Sequence, residues 1–292
     1  MALTTAVLWG MLPIALKVAL TGMDAWTISW WRFAVSMLGL GAFLAWRGGL
    51  PKPHQAGRFM IGLLAVALLA LIGNYVLYLV ALDHTTPSVA QVVIQLAPLL
   101  LILGGVFVFH ERFDPRQWIG FAVLVAGLLL FFNRRLPLLL QPTEGLGLGV
   151  ALMVLSALSW ATYGLAQKRL LDHFAAPQVF LMLYVGATLL LLPVSKPAAV
   201  ADLDGLQLGM LAFCCANTLA AYGAFGEALH HWQVSRVSAV ISTAPLFTIL
   251  SMWLVERAGL GLVAPEGLNA LSVVGALGVV AGSTVTALAA RN

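Results

Sequence analysis

The sequence predicts an all-α polytopic membrane protein with ten transmembrane helices in two inverted five-helix repeats. Composition gives the class. Asp, Glu, Lys and Arg make up 9% of the 292 residues, against about 25% in soluble proteins, and hydrophobic residues make up 61%. The mean hydropathy is +0.98. So few polar side chains cannot cover a soluble surface, which excludes a disordered chain, a nucleic-acid-binding module and a disulfide scaffold.

Apolar length gives the number of helices. A helix needs about 20 mostly apolar residues to cross a bilayer. Ten stretches meet this requirement, near 3–20, 26–46, 57–81, 86–109, 115–132, 145–170, 177–194, 206–229, 234–254 and 268–289. The loops between them are too short for a soluble domain. We therefore expect the activity to lie inside or across the bilayer, and we expect the lipid bilayer itself to be a partner.

Internal similarity gives the repeat. The sequence matches itself in the same order along both halves: Trp9 with Trp160 at an offset of 151, Ala97-Pro98-Leu99 with Ala244-Pro245-Leu246 at 147, and Gly120 and Gly127 with Gly275 and Gly282 at 155. The matched prolines predict kinks at equivalent depths, where backbone hydrogen bonding is interrupted.

The repeat predicts the orientation in the membrane. The halves, residues 1–136 and 144–292, hold five spans each, and an odd number requires the second half to enter from the opposite side. With both termini in the cytoplasm, inner segments carry nine basic residues and outer loops four. The inner ones are Arg47, Lys52, Arg58, Arg112, Arg116, Lys168, Arg169, Arg236 and Arg291, and the outer ones are Arg134, Arg135, Lys196 and Arg257.

Polar residues recur on one face of the fourth and ninth spans. Their spacing is i, i+3 and i+7, and the offset of 147 pairs Ser88, Gln91 and Gln95 with Ser235, Ser238 and Ser242. Polar side chains inside a membrane face the bundle interior or water, so both faces are candidate linings of a substrate path. The alternative interpretation is hydrogen bonding between helices.

Aromatic and amide side chains form a second candidate set. It contains the matched pair Trp9 and Trp160 together with Asn74, Tyr78, Tyr163, Asn217 and Tyr222. Such walls suit a substrate with an apolar body and a small polar head, because stacking on a flat ring adds about 0.5–1.5 kcal/mol. The alternative interpretation is an interfacial aromatic belt.

Charged residues within the spans are few. Lys17 and Lys168 are matched, and we expect both to snorkel toward water. We expect the same of Arg32, whose alternative role is to hold a substrate carboxylate. Glu227, near the end of the eighth span, is the only acid within a span. Two potential ligands, Glu227 and His230, do not make a metal site, so neither metal nor cofactor is expected.

The whole chain resembles a known family. The signatures are Ala97-Pro98-Leu99, then His110-Glu111-Arg112, Gly120 and Gly127, with a second copy of Ala244-Pro245-Leu246, Val255-Glu256-Arg257, Gly275 and Gly282. They resemble the EamA repeats of the drug/metabolite transporter superfamily, and within it the chain is most similar to YddG-type exporters of aromatic amino acids. The resemblance implies ten helices, inward-facing and outward-facing states, and a location in the bacterial inner membrane.

These observations predict a transporter rather than an enzyme or a scaffold. We expect it to export amino acids, preferably aromatic ones, and similar amphiphilic metabolites by alternating access through a central cavity. The alternative is a multidrug or other small-metabolite exporter driven by a proton gradient. A small-molecule substrate is the expected partner, with no nucleic acid, and a monomer is sufficient. The sequence contains no GxSxG or HExxH motif to support an enzyme.

Overall fold

A computed structural model describes residues 1–51, 57–109, 114–134, 145–231, 237 and 240–289. Within these ranges the regular structure is helical. The α-helices are α1 (Ala2–Ala19), α2 (Ala25–Trp46), α3 (Arg58–Asp83), α4 (Pro87–Val93), α5 (Leu96–Phe109), α6 (Pro115–Phe131), α7 (Leu146–Leu170), α8 (Ala176–Leu191), α9 (Gly205–His231), α10 (Ala244–Arg257) and α11 (Ala270–Ala289). Two 3₁₀ segments, Leu192–Val194 and Pro197–Asp202, connect α8 to α9.

Much of the described chain is apolar enough to cross a membrane. Seven helical stretches within the described ranges meet the requirement for length and composition: Ala2–Ala19, Ala25–Trp46, Arg58–Asp83, Pro87–Gly105, Leu146–Leu170, Ala176–Val194 and Ala270–Ala289. Two shorter apolar helices are Pro115–Phe131 and Gly205–Ala221. The predicted ninth span, 234–254, lies partly outside the described residues. Large apolar side chains such as Leu69, Phe107 and Leu189 are exposed on the outside of the bundle, where lipid would cover them.

Short polar side chains define the helix ends. Asp24 is the N-cap of α2. Its carboxylate accepts hydrogen bonds from the backbone N–H groups of Trp26 and Thr27. Asp114 and Asn269, which the offset of 155 pairs, cap α6 and α11 in the same way. Lys17 also lies at a helix end. Its Nζ donates to the backbone carbonyls of Leu82 and Asp83 at 2.7 and 2.9 Å, so its charge lies at the C-terminal end of α3.

Helices from the two halves pack against each other in matched pairs. The most extensive contacts join α6 to α11, α3 to α7, α1 to α9 and α2 to α8. The sequence repeat relates α1 to α7 and α3 to α9, so the contact of α3 with α7 has its equivalent in that of α1 with α9. The other two contacts each join a helix to its own equivalent. The core is therefore built between the halves rather than within each half.

The hydrogen bonds at two of these contacts repeat as well. The Ser156 hydroxyl on α7 donates to the backbone carbonyl of Asn74 on α3 at 3.0 Å. The Thr5 hydroxyl on α1 donates to the backbone carbonyl of Ala221 on α9 at 3.3 Å. The offsets of 151 and 147 relate both donors and both acceptors. The resemblance between the halves thus extends from sequence to individual hydrogen bonds.

Glycines let α6 and α11 touch through their backbones. A Cβ atom built on Gly127 would lie 2.5 Å from the backbone nitrogen of Val279 and 2.8 Å from the carbonyl oxygen of Gly275. A Cβ atom on Gly120 would lie 2.8 Å from the carbonyl oxygen of Gly282. Gly120 thus lies beside Gly282 and Gly127 beside Gly275, so the two helices run antiparallel. We call this contact the glycine seam. Small residues at such positions permit close helix packing in membranes.

The helix of the fourth span is interrupted where the sequence predicts. Helix α4 ends at Val93 and α5 begins at Leu96, just before Pro98. In the second half, α10 begins at Ala244, one residue before Pro245, and residues 242 and 243 form a turn. The interruptions precede the prolines because proline is accepted in the first turn of a helix and lacks the N–H that would continue the preceding one. The kinks predicted at matched depths are therefore present.

The glycine seam can be tested by adding one methyl group. We expect Gly127→Ala to lower the free energy of unfolding by about 1–3 kcal/mol, because the new Cβ would meet backbone atoms that cannot rotate away. The measurement is thermal unfolding of purified protein in detergent. Gly62→Ala on α3 is the matched control, since no atom lies within 4 Å of its Cβ position. Equal melting temperatures for the two variants would contradict the seam.

Candidate functional site

The halves meet at one polar contact between equivalent residues. The side-chain amide of Gln95 donates through Nε2 to the backbone carbonyl of Ser242 at 2.7 Å. The two residues are 147 positions apart, which is the repeat offset at this depth. They are 7% and 3% exposed. A residue can touch its own equivalent only where the two halves face each other, so this contact marks the centre of the arrangement.

The interrupted helix explains why this contact forms. The carbonyl of Ser242 has no N–H donor three residues later, because Pro245 lacks one. Four residues later, the N–H of Leu246 is bonded to the carbonyl of Thr243 at 2.9 Å. Gln95 therefore supplies a donor to a carbonyl that the helix interruption exposes. In a bilayer such groups must be satisfied within the protein.

The polar face of α4 lies inside the bundle. Ser88 and Gln91 are buried, and so is Gln95 just beyond the end of α4. The Tyr78 hydroxyl on α3 donates to Oε1 of Gln91 at 3.3 Å. The backbone N–H of Ser88 donates to the Glu266 carboxylate at 2.9 Å. Two of the predicted pathway residues, Tyr78 and Gln91, are thus in direct contact.

Both predicted asparagines make hydrogen bonds between helices. Asn74 donates through Nδ2 to the hydroxyl and the carbonyl of Ser156, at 2.9 and 3.1 Å. Asn217 donates through Nδ2 to the carbonyl of Leu8 at 2.7 Å. Both side chains are buried. In this conformation they hold α3 to α7 and α1 to α9.

The remaining predicted residues are more dispersed. Trp9 and Trp160 are half-buried, and Tyr163 is buried in the cluster against which Trp160 packs. Ser242 is in contact with Gln95, as described above. Ser235 and Ser238 lie outside the described residues. The side chains of Tyr222, Glu227 and His230 lie outside them too, although α9 includes their backbone.

Arg32 is the functional candidate that the sequence assignment placed wrongly. The expectation was a side chain that snorkels to water, but Arg32 is 5% exposed. Its guanidinium carbon lies 4.4 Å from the centroid of the Tyr75 ring, and its Nε donates to the Thr218 hydroxyl at 3.1 Å. A cation this close to a ring face is attracted by the electron density of the ring. Arg32 therefore connects α2 and α3 of the first half to α9 of the second.

Aromatic rings surround the buried arginine. The ring of Phe33 lies 4.4 Å from that of Tyr75 and 6.0 Å from that of Tyr184, between ring centroids. Tyr75 lies one helical turn before Tyr78 on α3, and the Tyr78 hydroxyl is bonded to Gln91. We call Arg32, Phe33, Tyr75, Tyr184 and Thr218 the arginine cluster. It lies beside the polar face of α4.

A signal in the sequence could have identified this cluster. Ser29, Arg32 and Ser36 follow the same spacing of i, i+3 and i+7 that marks the polar face of the fourth span. All three are buried on α2. An arginine flanked by serines on one helical face belongs to the bundle interior, whereas a snorkelling arginine needs apolar neighbours on a lipid-facing surface.

Comparison with known proteins identifies the family. The profile of the EamA-like transporter family matches residues 1–133 and again residues 147–287. The chain belongs to this family. The inner membrane transporter YhbE of Escherichia coli, which is uncharacterized, is 40% identical over 100% of this chain and 91% of its own length. An uncharacterized transporter of Haemophilus influenzae is 38% identical over 98% of this chain and 93% of its own length.

More distant EamA relatives and one solved structure extend the comparison. A probable amino-acid metabolite efflux pump of Escherichia coli is 24% identical over 100% of this chain and 95% of its own length. A crystal structure with 20% identity matches 99% of this chain and 96% of that chain with a TM-score of 0.64, which supports the fold. The protein is thus an integral inner membrane transporter in which the EamA domain is present twice. Membership in this family is consistent with a protein that is not an enzyme.

The contact between Gln95 and Ser242 predicts a measurable loss of stability. Gln95→Leu removes the donor of this buried hydrogen bond between the halves, so we expect the free energy of unfolding to fall by about 1–3 kcal/mol. Gln167→Leu is the matched control, because the Gln167 side chain makes no hydrogen bond with any described residue. Unfolding of both variants in detergent measures the difference. A Gln95→Leu variant as stable as its control would show that the contact contributes nothing.

Proposed function

We propose that this EamA protein exports amino acids, preferably aromatic ones, and similar amphiphilic metabolites by alternating access between its halves. The observation that carries the proposal is the contact of Gln95 with Ser242. It places the side chain of Gln95, from the fourth span, against the backbone of Ser242, from the ninth, between two interrupted helices. Secondary transporters bind substrate at such interfaces between repeats, where interrupted helices present unbonded backbone groups.

The proposal includes ten spans, with an inverted repeat of residues 1–136 and 144–292 and both termini in the cytoplasm. Its support comes from helix direction. Helices α6 and α11, which the repeat pairs, run antiparallel along the glycine seam. Helices α2 and α8 do so too, because Trp30 bonds to Thr188 whereas Gly49, beyond the other end of α2, bonds to Gln178. Equivalent helices that run in opposite directions are what an inverted repeat requires.

The proposed path uses both kinds of side chain that the sequence singles out. Its amides and hydroxyls bind the polar head of the substrate, and its aromatic rings stack on the apolar body. The lining residues we propose are Trp9, Asn74, Tyr78, Gln91, Gln95, Trp160, Tyr163, Asn217, Tyr222, Ser238 and Ser242. As the halves rock, the contact of Gln95 with Ser242 breaks and reforms, which opens the centre to one side at a time.

The buried charge of Arg32 favours amino acids over cationic drugs as substrates. The positive charge of Arg32 lies inside the bundle, where the side chain is 5% exposed. A buried positive charge repels a cationic substrate and attracts a carboxylate. The name of the distant Escherichia coli relative, a probable amino-acid metabolite efflux pump, agrees with this class.

Uptake into proteoliposomes tests the proposed substrate class. The panel is tryptophan, phenylalanine, threonine, a neutral sugar and a cationic dye, each with and without a pH gradient. We expect faster uptake of the aromatic amino acids than of the sugar or the dye, because rings and amides suit a zwitterion with a flat body. Equal rates with and without the gradient indicate facilitated diffusion. Dye uptake driven by the gradient would overturn the proposal in favour of a multidrug exporter.

Accessibility to an aqueous reagent tests the proposed path. In a chain whose Cys214 and Cys215 are replaced by alanine, we expect Gln91→Cys to react with a membrane-impermeant thiol reagent, and tryptophan to slow the reaction. A path that fills with water during the cycle makes residue 91 reactive, although it is buried here.

Two control positions on α3 accompany the accessibility experiment. Ala67→Cys lies in the closed core, and Leu69→Cys lies on the outer, lipid-facing surface. Neither should react, because a thiol in hydrocarbon does not ionise. If Gln91→Cys is as inert as these two, the path does not pass α4.

A further inference from the structure

We propose that Arg32 binds the carboxylate of the transported solute, so that the substrate class is an organic acid with an apolar body. This inference rests on the proposed function and adds the group that the site recognises. It assigns selectivity to the negative charge of the substrate rather than to its ring or its amino group. Amines and amides of the same shape are then poor substrates.

The first argument is the incomplete bonding of the guanidinium. An arginine side chain carries five N–H donors. The described residues accept one hydrogen bond from it, through the Thr218 hydroxyl. No carboxylate of the described ranges forms an ion pair with it. A positive charge that is 5% exposed and has no counter-ion among the described side chains is costly, and a bound carboxylate would remove that cost.

The second argument is the surroundings of the charge. Arg32 lies about 10 Å along α2 from its first residue, at about 1.5 Å per residue, and is therefore well inside the span. The guanidinium lies over the Tyr75 ring, which packs against Phe33, and Phe33 in turn lies near Tyr184. A planar guanidinium binds a carboxylate through two parallel hydrogen bonds. The cluster therefore offers a partner for a carboxylate in apolar surroundings.

The third argument is the position of the cluster between the halves. Arg32 and Tyr75 belong to the first half and Thr218 to the second. A change in the angle between the halves alters the bond from Arg32 to Thr218. A substrate carboxylate that binds side-on, to Nε and one Nη, displaces the Thr218 hydroxyl from Nε. Binding at Arg32 is thus coupled to the movement that transport requires.

A purely structural role leads to a different result. If Arg32 only holds α2 to α9, its replacement lowers stability and slows the transport of every substrate by the same factor. If Arg32 binds the carboxylate, its replacement changes the ratio between substrates. The ratio is insensitive to the amount of folded protein, so it separates the two roles.

The experiment compares phenylalanine with phenylalaninamide in proteoliposomes. The amide keeps the ring and the amino group but has no negative charge. We expect the unchanged protein to prefer the acid by about tenfold or more, since a charge-assisted hydrogen bond contributes about 1.5–3 kcal/mol. Arg32→Gln should bring the ratio close to one, and Arg32→Lys should restore part of it because the charge remains.

Arg47→Gln is the matched control. Arg47 lies at the other end of α2, with its guanidinium carbon 5.1 Å from the centroid of the Phe43 ring, but it is exposed. The control should keep the full preference for the acid. If it loses the preference to the same extent as Arg32→Gln, the effect is one of net charge and the inference is wrong.

The outcomes distinguish a failure of the role proposed for Arg32 from a failure of the proposed transport function. If the unchanged protein transports neither compound, the proposed function fails. If it transports both at the same rate, the function stands and the role of Arg32 is overturned. If Arg32→Gln does not fold, Arg32→Lys decides. A preference weaker than that of the unchanged protein supports the inference, because lysine cannot form the paired bonds, and an unaltered preference contradicts it.

Discussion

Backbone polar groups in a bilayer core need partners within the protein, because the core offers no water. The constraint is sharpest at the interrupted helices, where the N–H of Leu246 bonds to Thr243 and not to Ser242. The side-chain amide of Gln95, from the other half of the molecule, donates a hydrogen bond to the carbonyl of Ser242. The halves are thus joined at their centre by a bond that exists only because a helix is broken there.

The two halves are held together in two different ways. Along the glycine seam the backbones of α6 and α11 touch, and no side chain separates them. In the middle of the bundle the contacts are single hydrogen bonds between polar side chains, such as those of Asn74 with Ser156 and Arg32 with Thr218. A backbone contact has no rotamers and resists displacement, whereas single hydrogen bonds exchange partners at little cost. Such a distribution places rigidity at one side and freedom to move at the centre.

Sequence patterns predicted most of the fold but only part of the site. Apolar length located the helices, because a membrane span has a fixed minimum length, and matched prolines located the interruptions. Ser88, Gln91 and Gln95 are buried, but so is every other residue of α4, so their role as a pathway lining stays a prediction. Arg32 was misjudged, because hydropathy alone cannot tell an arginine that faces lipid from one that faces a partner helix. Tyr75 and Thr218, its contacts, come from two distant helices, and only the packing of the bundle brings them together.

The glycine seam has a consequence for the origin of such a molecule. Gly120 faces Gly282 and Gly127 faces Gly275. Because the offset of 155 pairs Gly120 with Gly275 and Gly127 with Gly282, the two helices contact each other through equivalent surfaces. A surface that complements its own equivalent is the defining property of a two-fold symmetric dimer. One half, with the glycines of a single helix, therefore carries a surface that can pair with a second copy of itself. Fusing two such copies into one chain changes the connectivity but requires no new interface.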